Sequence, residues 1–278
     1  GDNDGNDCDD CAGVPYGDAS ELEIILENHT NLVSFPALPD DSDYSVENIF
    51  GQLCDNQVEV ISKSSACFCT EDGSFVGSLK EVIQNQGYWV ILYTPPDTLF
   101  IECAVPVSYD GLDNSGVPCT ECNNGEVDYE IVEGLNLISY PFQSSQSLDD
   151  ALGDDAVNTF GLIAQGFAAL NCTNYPCNSG NDGWMGALVS FEGGKGYWLI
   201  ATEDFEFTFN NPDGSLTRIA HQPSVRPVPE THRFMQSSRQ AFYFIESATI
   251  QGKPLSDDDI IIAYNGDVVV GARYWNGE

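Results

Sequence analysis

An internal repeat constrains this chain of 278 residues more than any other feature. The sequence NLVSFP at residues 31–36 recurs as NLISYP at 136–141, and GYW at 87–89 recurs at 196–198. Three stretches between these anchors match in the same order: 45–50 with 147–152, 60–61 with 162–163, and 76–79 with 185–188. The difference in residue number between matched positions is 102 for 60–61 and 109 for 76–79. The second copy therefore contains a seven-residue insertion (109 − 102 = 7) between these two matches. We therefore predict two copies of one module, at 21–107 and 127–217.

Both copies are predicted to be all-β and mainly antiparallel, as small barrels or sandwiches. Each copy has a strand at its NLVS or NLIS sequence, a Ser-capped amphipathic turn, a strand near Val60 or Leu162, and a strand at GYW. Residues 204–209 (DFEFTF) alternate polar and apolar side chains, which puts three Phe rings on one buried face of a strand.

A Pro-rich segment at 221–229 predicts a linker that opens a C-terminal β-domain, 218–278. This domain carries six Lys or Arg and seven acids, a net charge of −1, so the first 217 residues carry −34. Strands are predicted at 241–245, 260–264 and 268–270, with Asn265-Gly266 as a hairpin turn. We expect residues beyond those given, or another chain, to complete this sheet.

The charge of the chain limits its partners. Its formal charge is 9 − 44 = −35, which excludes nucleic acids and anionic membrane surfaces as favourable partners. With 42% apolar residues the chain is nevertheless expected to fold, and it has no apolar run long enough for membrane insertion. It begins Gly1-Asp2 without Met or a signal sequence, so we expect a processed or excerpted piece of a longer protein.

Ten cysteines predict a disulfide-bonded protein from an oxidising, extracellular setting. They are Cys8, Cys11, Cys54, Cys67, Cys69, Cys103, Cys119, Cys122, Cys172 and Cys177. Cys172 and Cys177 are expected to form a disulfide that closes the inserted loop. The alternative is one Cys₄ zinc site built from the Cys-x-x-Cys pairs of the acidic spacer 1–20 and the linker 108–126, but these pairs lie more than a hundred residues apart.

The N-terminal spacer carries alternating oxygen ligands around a glycine, DNDGNDCDD at residues 2–10. We predict a calcium site formed by Asp2, Asp4, Asp7 and Asp9. The pattern resembles the Asp-x-Asp-Gly-x-Asp repeats of thrombospondin type 3 segments, although only one repeat is present and no Glu stands at the twelfth position of an EF-hand loop. The alternative is a solvated acidic linker.

No set of residues forms a catalytic motif, so we expect a protein that is not an enzyme. The three histidines, His29, His221 and His232, have no nucleophile motif beside them, and the Gly-rich segment 192–196 lacks the ending of a phosphate-binding loop.

Surface chemistry suggests two further features. Asn28 and Asn171 begin glycosylation sequons, although such triplets also arise by chance. The aromatic side chains of Tyr88, Trp89, Tyr197 and Trp198 could stack on sugar rings, but we favour a role in core packing because they occupy matching positions of a repeated β-module.

The tandem NLIS and GYW motifs resemble β-repeat modules of large secreted or surface-anchored proteins from marine bacteria and marine viruses. The segments 240–246 and 263–273 resemble a module that often follows them, and residues 10–15 resemble their Cys-rich spacers. The resemblance implies architecture and transfers no catalytic residue.

Two classes of function follow. We expect a structural subunit of an extracellular, cell-surface or virion assembly, such as a filament, sheath or appendage, built by contacts between copies of the chain, disulfides and calcium. The alternatives are an adhesin or viral fibre module that binds surface glycans, and an accessory region of a secreted hydrolase.

Overall fold

A computed structural model describes residues 20–39, 41–94, 97–107, 127–173, 183–212, 226–234, 243, 245 and 247–275. Over these residues the protein is antiparallel β with two helices of five residues each, α1 (Val46–Phe50) and α2 (Leu148–Leu152). The prediction of a mainly antiparallel β-protein is confirmed. In the described part of the chain, no helix is long and apolar enough to span a membrane.

The first half of the chain, residues 20–107, forms a sandwich-like unit of two sheets. Its strands are β1 (Ser20–Leu26), β2 (His29–Val33), β3 (Ala37–Pro39), β4 (Glu59–Ile61), β5 (Ala66–Cys69), β6 (Phe75–Gly77), β7 (Tyr88–Leu92) and β8 (Asp97–Pro106). One sheet has the order β2-β7-β4-β5-β6 and the other β1-β8-β3. The 3₁₀ helix Gly51–Asn56 continues α1. One apolar core includes Leu26 and Leu99 from the small sheet and Val60 and Val90 from the large one.

The second half, residues 127–212, also has a five-stranded sheet and has an apolar core of its own, but its smaller sheets are two-stranded. Its strands are β9 (Tyr129–Ile131), β10 (Gly134–Ile138), β11 (Gln146–Ser147), β12 (Thr159–Ala164), β13 (Phe167–Asn171), β14 (Trp184–Gly186), β15 (Ser190–Phe191), β16 (Tyr197–Ala201) and β17 (Phe205–Phe207). The large sheet has the order β10-β16-β12-β13-β14, while β17 pairs with β9 and β11 with β15. The 3₁₀ helix Gly153–Asn158 follows α2.

Neither large sheet is closed. The strands β2 and β6 are the outer strands of one, and β10 and β14 are the outer strands of the other. A barrel needs its first and last strands to pair. Of the two predicted architectures, the described residues therefore form open, sandwich-like sheets.

A buried asparagine closes the turn before β2 and the turn before β10. The Oδ1 atom of Asn31 accepts from the Glu27 N–H at 2.7 Å, and its Nδ2 donates to the Glu27 carbonyl at 2.9 Å. Asn136 makes the same two bonds to Val132, at 3.2 and 2.7 Å. Buried amides need such partners, which explains why Asn opens both NLVS and NLIS.

Serine caps both helices at the positions that the sequence predicts. The Ser45 hydroxyl accepts from the Asn48 N–H at 3.2 Å, and the Ser147 hydroxyl accepts from the Asp150 N–H at 3.1 Å. Each bond satisfies an N–H group that has no partner within the helix. Each five-residue helix then tightens into a 3₁₀ helix.

A disulfide in the first half is replaced by a hydrogen bond in the second. Cys54 and Cys69 are bonded, with their Cα atoms 5.4 Å apart. The sequence repeat pairs these positions with Ala156 and Asn171, and the Asn171 Nδ2 donates to the Ala156 carbonyl at 2.7 Å. Both links join the 3₁₀ helix to the neighbouring strand. Cys103 and Cys172 are also disulfide-bonded.

Replacing Cys54 and Cys69 together by Ala is expected to lower the free energy of unfolding by about 3 kcal/mol. The bridge joins residues 15 apart, and closing a loop of that length restricts the unfolded chain by roughly this amount. Urea unfolding followed by circular dichroism measures the change. Asn171→Ala is the matched variant in the second half, with an expected loss of about 1 to 2 kcal/mol. An unchanged midpoint for the cysteine pair would contradict the role of the bridge.

One predicted disulfide cysteine, Cys67, is instead a buried free thiol. Its register partner on β4 is Val60, and its matching position in the second half is Ala169, also buried. A small apolar side chain fits this position, so Cys67 fills space in the core. Burial, as the largest cause, raises its pKa from 9.0 to about 11.

We expect the Cys67 thiol of the native protein at pH 8 to react with iodoacetamide about 100-fold more slowly than in urea. The pKa rise of about two units lowers the fraction of thiolate by that factor, and burial slows the reaction further. Mass spectrometry of the peptide that contains Cys67 measures the rate. Native reactivity that rises through pH 9 rather than near pH 11 would contradict this.

The C-terminal part forms β-hairpins after the 3₁₀ helix Glu230–His232. Its strands are β18 (Thr249–Ile250), β19 (Lys253–Pro254), β20 (Ile260–Asn265) and β21 (Val268–Tyr274). As predicted, Asn265-Gly266 leads into the turn of the β20–β21 hairpin. Most of the predicted strand 241–245 lies outside the described residues.

Candidate assembly surfaces

The two halves of the chain meet through matched backbone contacts. Val33 at the end of β2 forms a β-bridge with Lys195, and Ile138 at the end of β10 forms one with Gln86. The sequence repeat pairs Val33 with Ile138 and Lys195 with Gln86. Each half therefore offers the end of one strand to the turn that precedes the GYW strand of the other.

Apolar side chains fill the space between the two large sheets. The contact contains buried Leu32, Trp89 and Leu137, with Ile61 and Trp198 packed against them. Leu32 and Leu137 are repeat partners, as are Trp89 and Trp198. The tryptophans of the GYW motifs thus serve to join the halves.

The glycines of the two GYW motifs allow the backbones to approach. A Cβ atom on Gly87 would lie 2.7 Å from the Ile138 carbonyl oxygen, and one on Gly196 would lie 2.6 Å from the Val33 carbonyl oxygen. Real Cβ atoms do not approach a backbone oxygen so closely, so both positions need glycine.

Polar side chains from one turn of each half cross to the other half. The Lys63 ammonium donates to the Asn136 Oδ1 at 3.1 Å. Its repeat partner Gln165 accepts from the Leu32 N–H and donates to the Thr30 carbonyl, both at 2.9 Å. These contacts make the interface nearly isologous, meaning that equivalent patches face each other. Because both patches are occupied within one chain, this interface is not free for another copy.

Exposed apolar side chains lie at several places on the described part of the chain. The outer face of the first large sheet exposes Phe68 and Val76, and the C-terminal hairpin exposes Tyr264, Val268 and Val270. None of the described residues from 226 onward is buried. The Arg226 guanidinium lies 3.9 Å from the centroid of the Tyr274 ring, and that of Arg273 lies 6.0 Å from the Phe167 ring.

The aromatic residues considered as a sugar platform are mainly interior. Tyr88, Trp89 and Tyr197 are buried and Trp198 is half-buried. The Tyr88 hydroxyl accepts from the Ile83 N–H at 2.8 Å, and burial raises the pKa of Tyr88 to about 12. Tyr197 accepts from the Glu192 N–H at 2.7 Å in the matching place, and burial raises its pKa as well. These rings support the sheets and are not presented to a glycan.

The two glycosylation sequons differ in access. Asn28 is exposed in the turn between β1 and β2. Asn171 is 2% exposed, and its side chain bonds to the Ala156 carbonyl and the Thr173 N–H. A glycan on its Nδ2 would displace the bond to Ala156, so the structure disagrees with the prediction at Asn171.

The predicted metal ligands Asp2, Asp4, Asp7 and Asp9 lie outside the described residues, as do Cys8, Cys11, Cys119, Cys122 and Cys177. Within the described ranges, no group of three or more His, Cys, Asp or Glu side chains is placed to hold a metal ion.

A cavity of about 160 Å³ opens beside the second core. Its lining includes Phe142, Phe209 and Asn210. Sites for small molecules and cofactors usually measure about 300 to 1,000 Å³, so this cavity suits at most a few water molecules or a single small group.

Sequence reasoning identified the repeat but missed the interface that it forms. The glycine and tryptophan of the GYW motifs were the sequence signal for this interface, because a strand can form without either residue. Comparisons with protein-family models, with curated proteins and with solved structures find no match to this chain.

Proposed function

We propose that this chain is a non-enzymatic structural subunit of an extracellular assembly, a filament, sheath or appendage at a cell or virion surface, built from copies of itself. The observation that carries the proposal is the β20–β21 hairpin. It presents three consecutive Ile and three consecutive Val, and none of its residues is buried. A two-stranded hairpin of this kind is marginally stable alone, so it needs a partner surface.

We further propose that the two halves are duplicated β-sandwich modules. The proposal is supported by features that recur at matching positions of the sequence repeat. An asparagine side chain closes one turn in each half, and a serine caps each helix. The two large sheets have corresponding strand orders, and the glycine of each GYW motif lies close to the backbone of the other half. Two modules that bury matching surfaces against each other form a rigid unit, and a rigid unit suits a repeating assembly.

An oxidising, saline setting fits the chemistry of the chain. The Cys54–Cys69 bridge persists where thiols are not kept reduced. A charge of −35 is tolerated where salt and divalent cations screen it. Calcium at the N-terminal aspartates is part of the proposal, as a clamp between copies or between spacer and module.

Electron microscopy of the purified protein, with calcium and then after chelation, tests the proposal. Ordered polymers that loosen on chelation are the expected result. A compact monomer at high concentration with calcium would overturn the structural role. Dispersed particles in both conditions would favour the adhesin alternative, and a glycan array with and without calcium would follow. Recovery of the full reading frame tests the third alternative, an accessory region of a hydrolase.

A further inference from the structure

The tip of the β20–β21 hairpin carries an asparagine followed by a glycine. Asn265 ends β20, and Gly266 and Asp267 form the two-residue turn. Asn265 and Gly266 are exposed, and a Cβ atom on Gly266 would meet nothing within 4 Å. The backbone nitrogen of Gly266 is therefore open to the side chain that precedes it. The Asn-Gly pairs at 124–125 and 276–277 lie outside the described residues.

The Asn265 side chain is held less firmly than many other asparagines of the chain. The Asn48 Nδ2 donates to the Asp43 carbonyl at 2.7 Å, and the Asn85 Nδ2 donates to the Asp128 carbonyl at 3.1 Å. Each bond restrains the amide carbon, Cγ, of its asparagine. Among the described residues, the Asn265 side chain has no hydrogen-bond partner. Its Cγ atom is therefore free to move toward the Gly266 nitrogen.

The hairpin can open to allow this approach. None of the residues of β20 or β21 is buried, and a two-stranded hairpin is marginally stable alone. Exposed segments with few apolar contacts open locally with free energies near zero. Opening lets the backbone at Asn265 leave the extended conformation of the strand. Gly266 assists because a residue without a Cβ atom adopts many conformations.

We propose that Asn265 is a site of spontaneous deamidation through a cyclic imide. The Gly266 nitrogen gives its proton to hydroxide and attacks the Asn265 Cγ atom. A new nitrogen–carbon bond closes a five-membered ring, the bond from Cγ to Nδ2 breaks, and ammonia leaves with a proton from water. Water then opens the ring at either carbonyl, which leaves aspartate or isoaspartate at position 265. The net change is the addition of water and the loss of ammonia.

Either product changes the hairpin. The new side chain is a carboxylate close to Asp267, and like charges on neighbouring positions of a hairpin are destabilising. Isoaspartate also places the side-chain methylene in the main chain, so the pairing of Asn265 with Val268 is lost. We expect the hairpin to be less stable after the reaction. The inference concerns this turn alone and does not depend on whether copies of the chain assemble.

Peptide mapping of the full chain tests the proposal, after incubation of the folded protein and of the protein in urea. Trypsin releases residues 240–273, because it does not cut between Lys253 and Pro254, and Asn265 is the only asparagine of this peptide. Conversion replaces NH by oxygen in the peptide mass and gives two products that chromatography separates. We expect the rate in the folded protein to lie within about tenfold of the rate in urea. From pH 8 to pH 9 the rate should rise about tenfold, since the deprotonated fraction of the Gly266 amide rises by that factor.

Three controls separate the contributions of glycine, of exposure and of the side-chain amide. Asn28 is exposed in the turn between β1 and β2 but precedes His29, so it should convert more slowly than Asn265. Asn48, whose side chain is hydrogen-bonded, should convert faster in urea than in the folded protein. The variant Asn265→Gln keeps an amide at the turn, but its ring would have six members, so the conversion of peptide 240–273 should be lost.

Two results would overturn the proposal. Conversion at Asn265 in urea alone, or under none of the conditions, would mean that the folded hairpin or its sequence does not permit the reaction. Equal rates at Asn28 and Asn265 in the folded protein would mean that exposure, and not the adjoining glycine, determines where the chain deamidates.

Discussion

Phe191→Ala is expected to lower the free energy of unfolding of the second half by about 3 to 5 kcal/mol. Phe191 is fully buried at the centre of an aromatic cluster. Its ring centroid lies 5.3 Å from that of Tyr140, 4.7 Å from Tyr197 and 5.0 Å from Phe209. Truncation removes the apolar burial of one large ring and leaves a cavity that three rigid rings cannot fill.

Urea unfolding of the full chain, followed by near-ultraviolet circular dichroism, measures the effect. The sequence repeat provides a matched control, because Val82 occupies the corresponding position of the first half and is also buried. Val82→Ala should cost less, about 2 kcal/mol, since it removes two carbon atoms rather than a ring. Equal losses for the two variants would contradict the central place of Phe191.

Gly196→Val is expected to destabilise the contact between the halves by about 3 kcal/mol. Its Cβ would lie 2.6 Å from the Val33 carbonyl oxygen and 3.2 Å from the Leu32 Cδ1 atom. The first of these neighbours is backbone and is held in the β-bridge to Lys195, so it cannot turn away. The strand end and the turn must separate to admit the side chain.

Two further variants test this explanation. A Cβ on Gly51 would meet nothing within 4 Å, so Gly51→Ala should change the stability by less than about 1 kcal/mol. Leu32→Ala added to Gly196→Val should not restore stability, because the obstructing atom is the carbonyl. Recovery in that double variant would assign the clash to the leucine side chain instead.

The strands could be predicted because their signals are local. The NLVS and GYW sequences, the alternation at 204–209 and the serine caps all act within a few residues, and each appears in the structure where the sequence places it. Phe207 and Phe209 are buried together in the second core, with ring centroids 5.0 Å apart. Period-two alternation determines which face a side chain takes, and that requires no knowledge of the rest of the fold.

Cysteine pairing could not be predicted in this way. Cys67 and Cys69 lie two residues apart on β5, so alternation turns both inward. Only the packing of the 3₁₀ helix beside the end of β5 brings Cys54 to Cys69 and leaves Cys67 against Val60. The corresponding packing in the second half buries Asn171, which the sequon alone did not indicate.

The sequence by itself determined that similar motifs occur twice in the same order, that the chain is mainly antiparallel β, and that a hairpin turn lies at Asn265-Gly266, because repeats, alternation and turn residues are read along the chain. Only the tertiary structure decided that the repeats face each other through Leu32, Trp89 and their partners, and that Phe68, Val76 and the hairpin remain outside. The physical reason is that side chains alternate between the two faces of a sheet along each strand, so the local sequence determines which face a side chain lies on. What covers that face depends on the shapes and charges of segments distant in the chain.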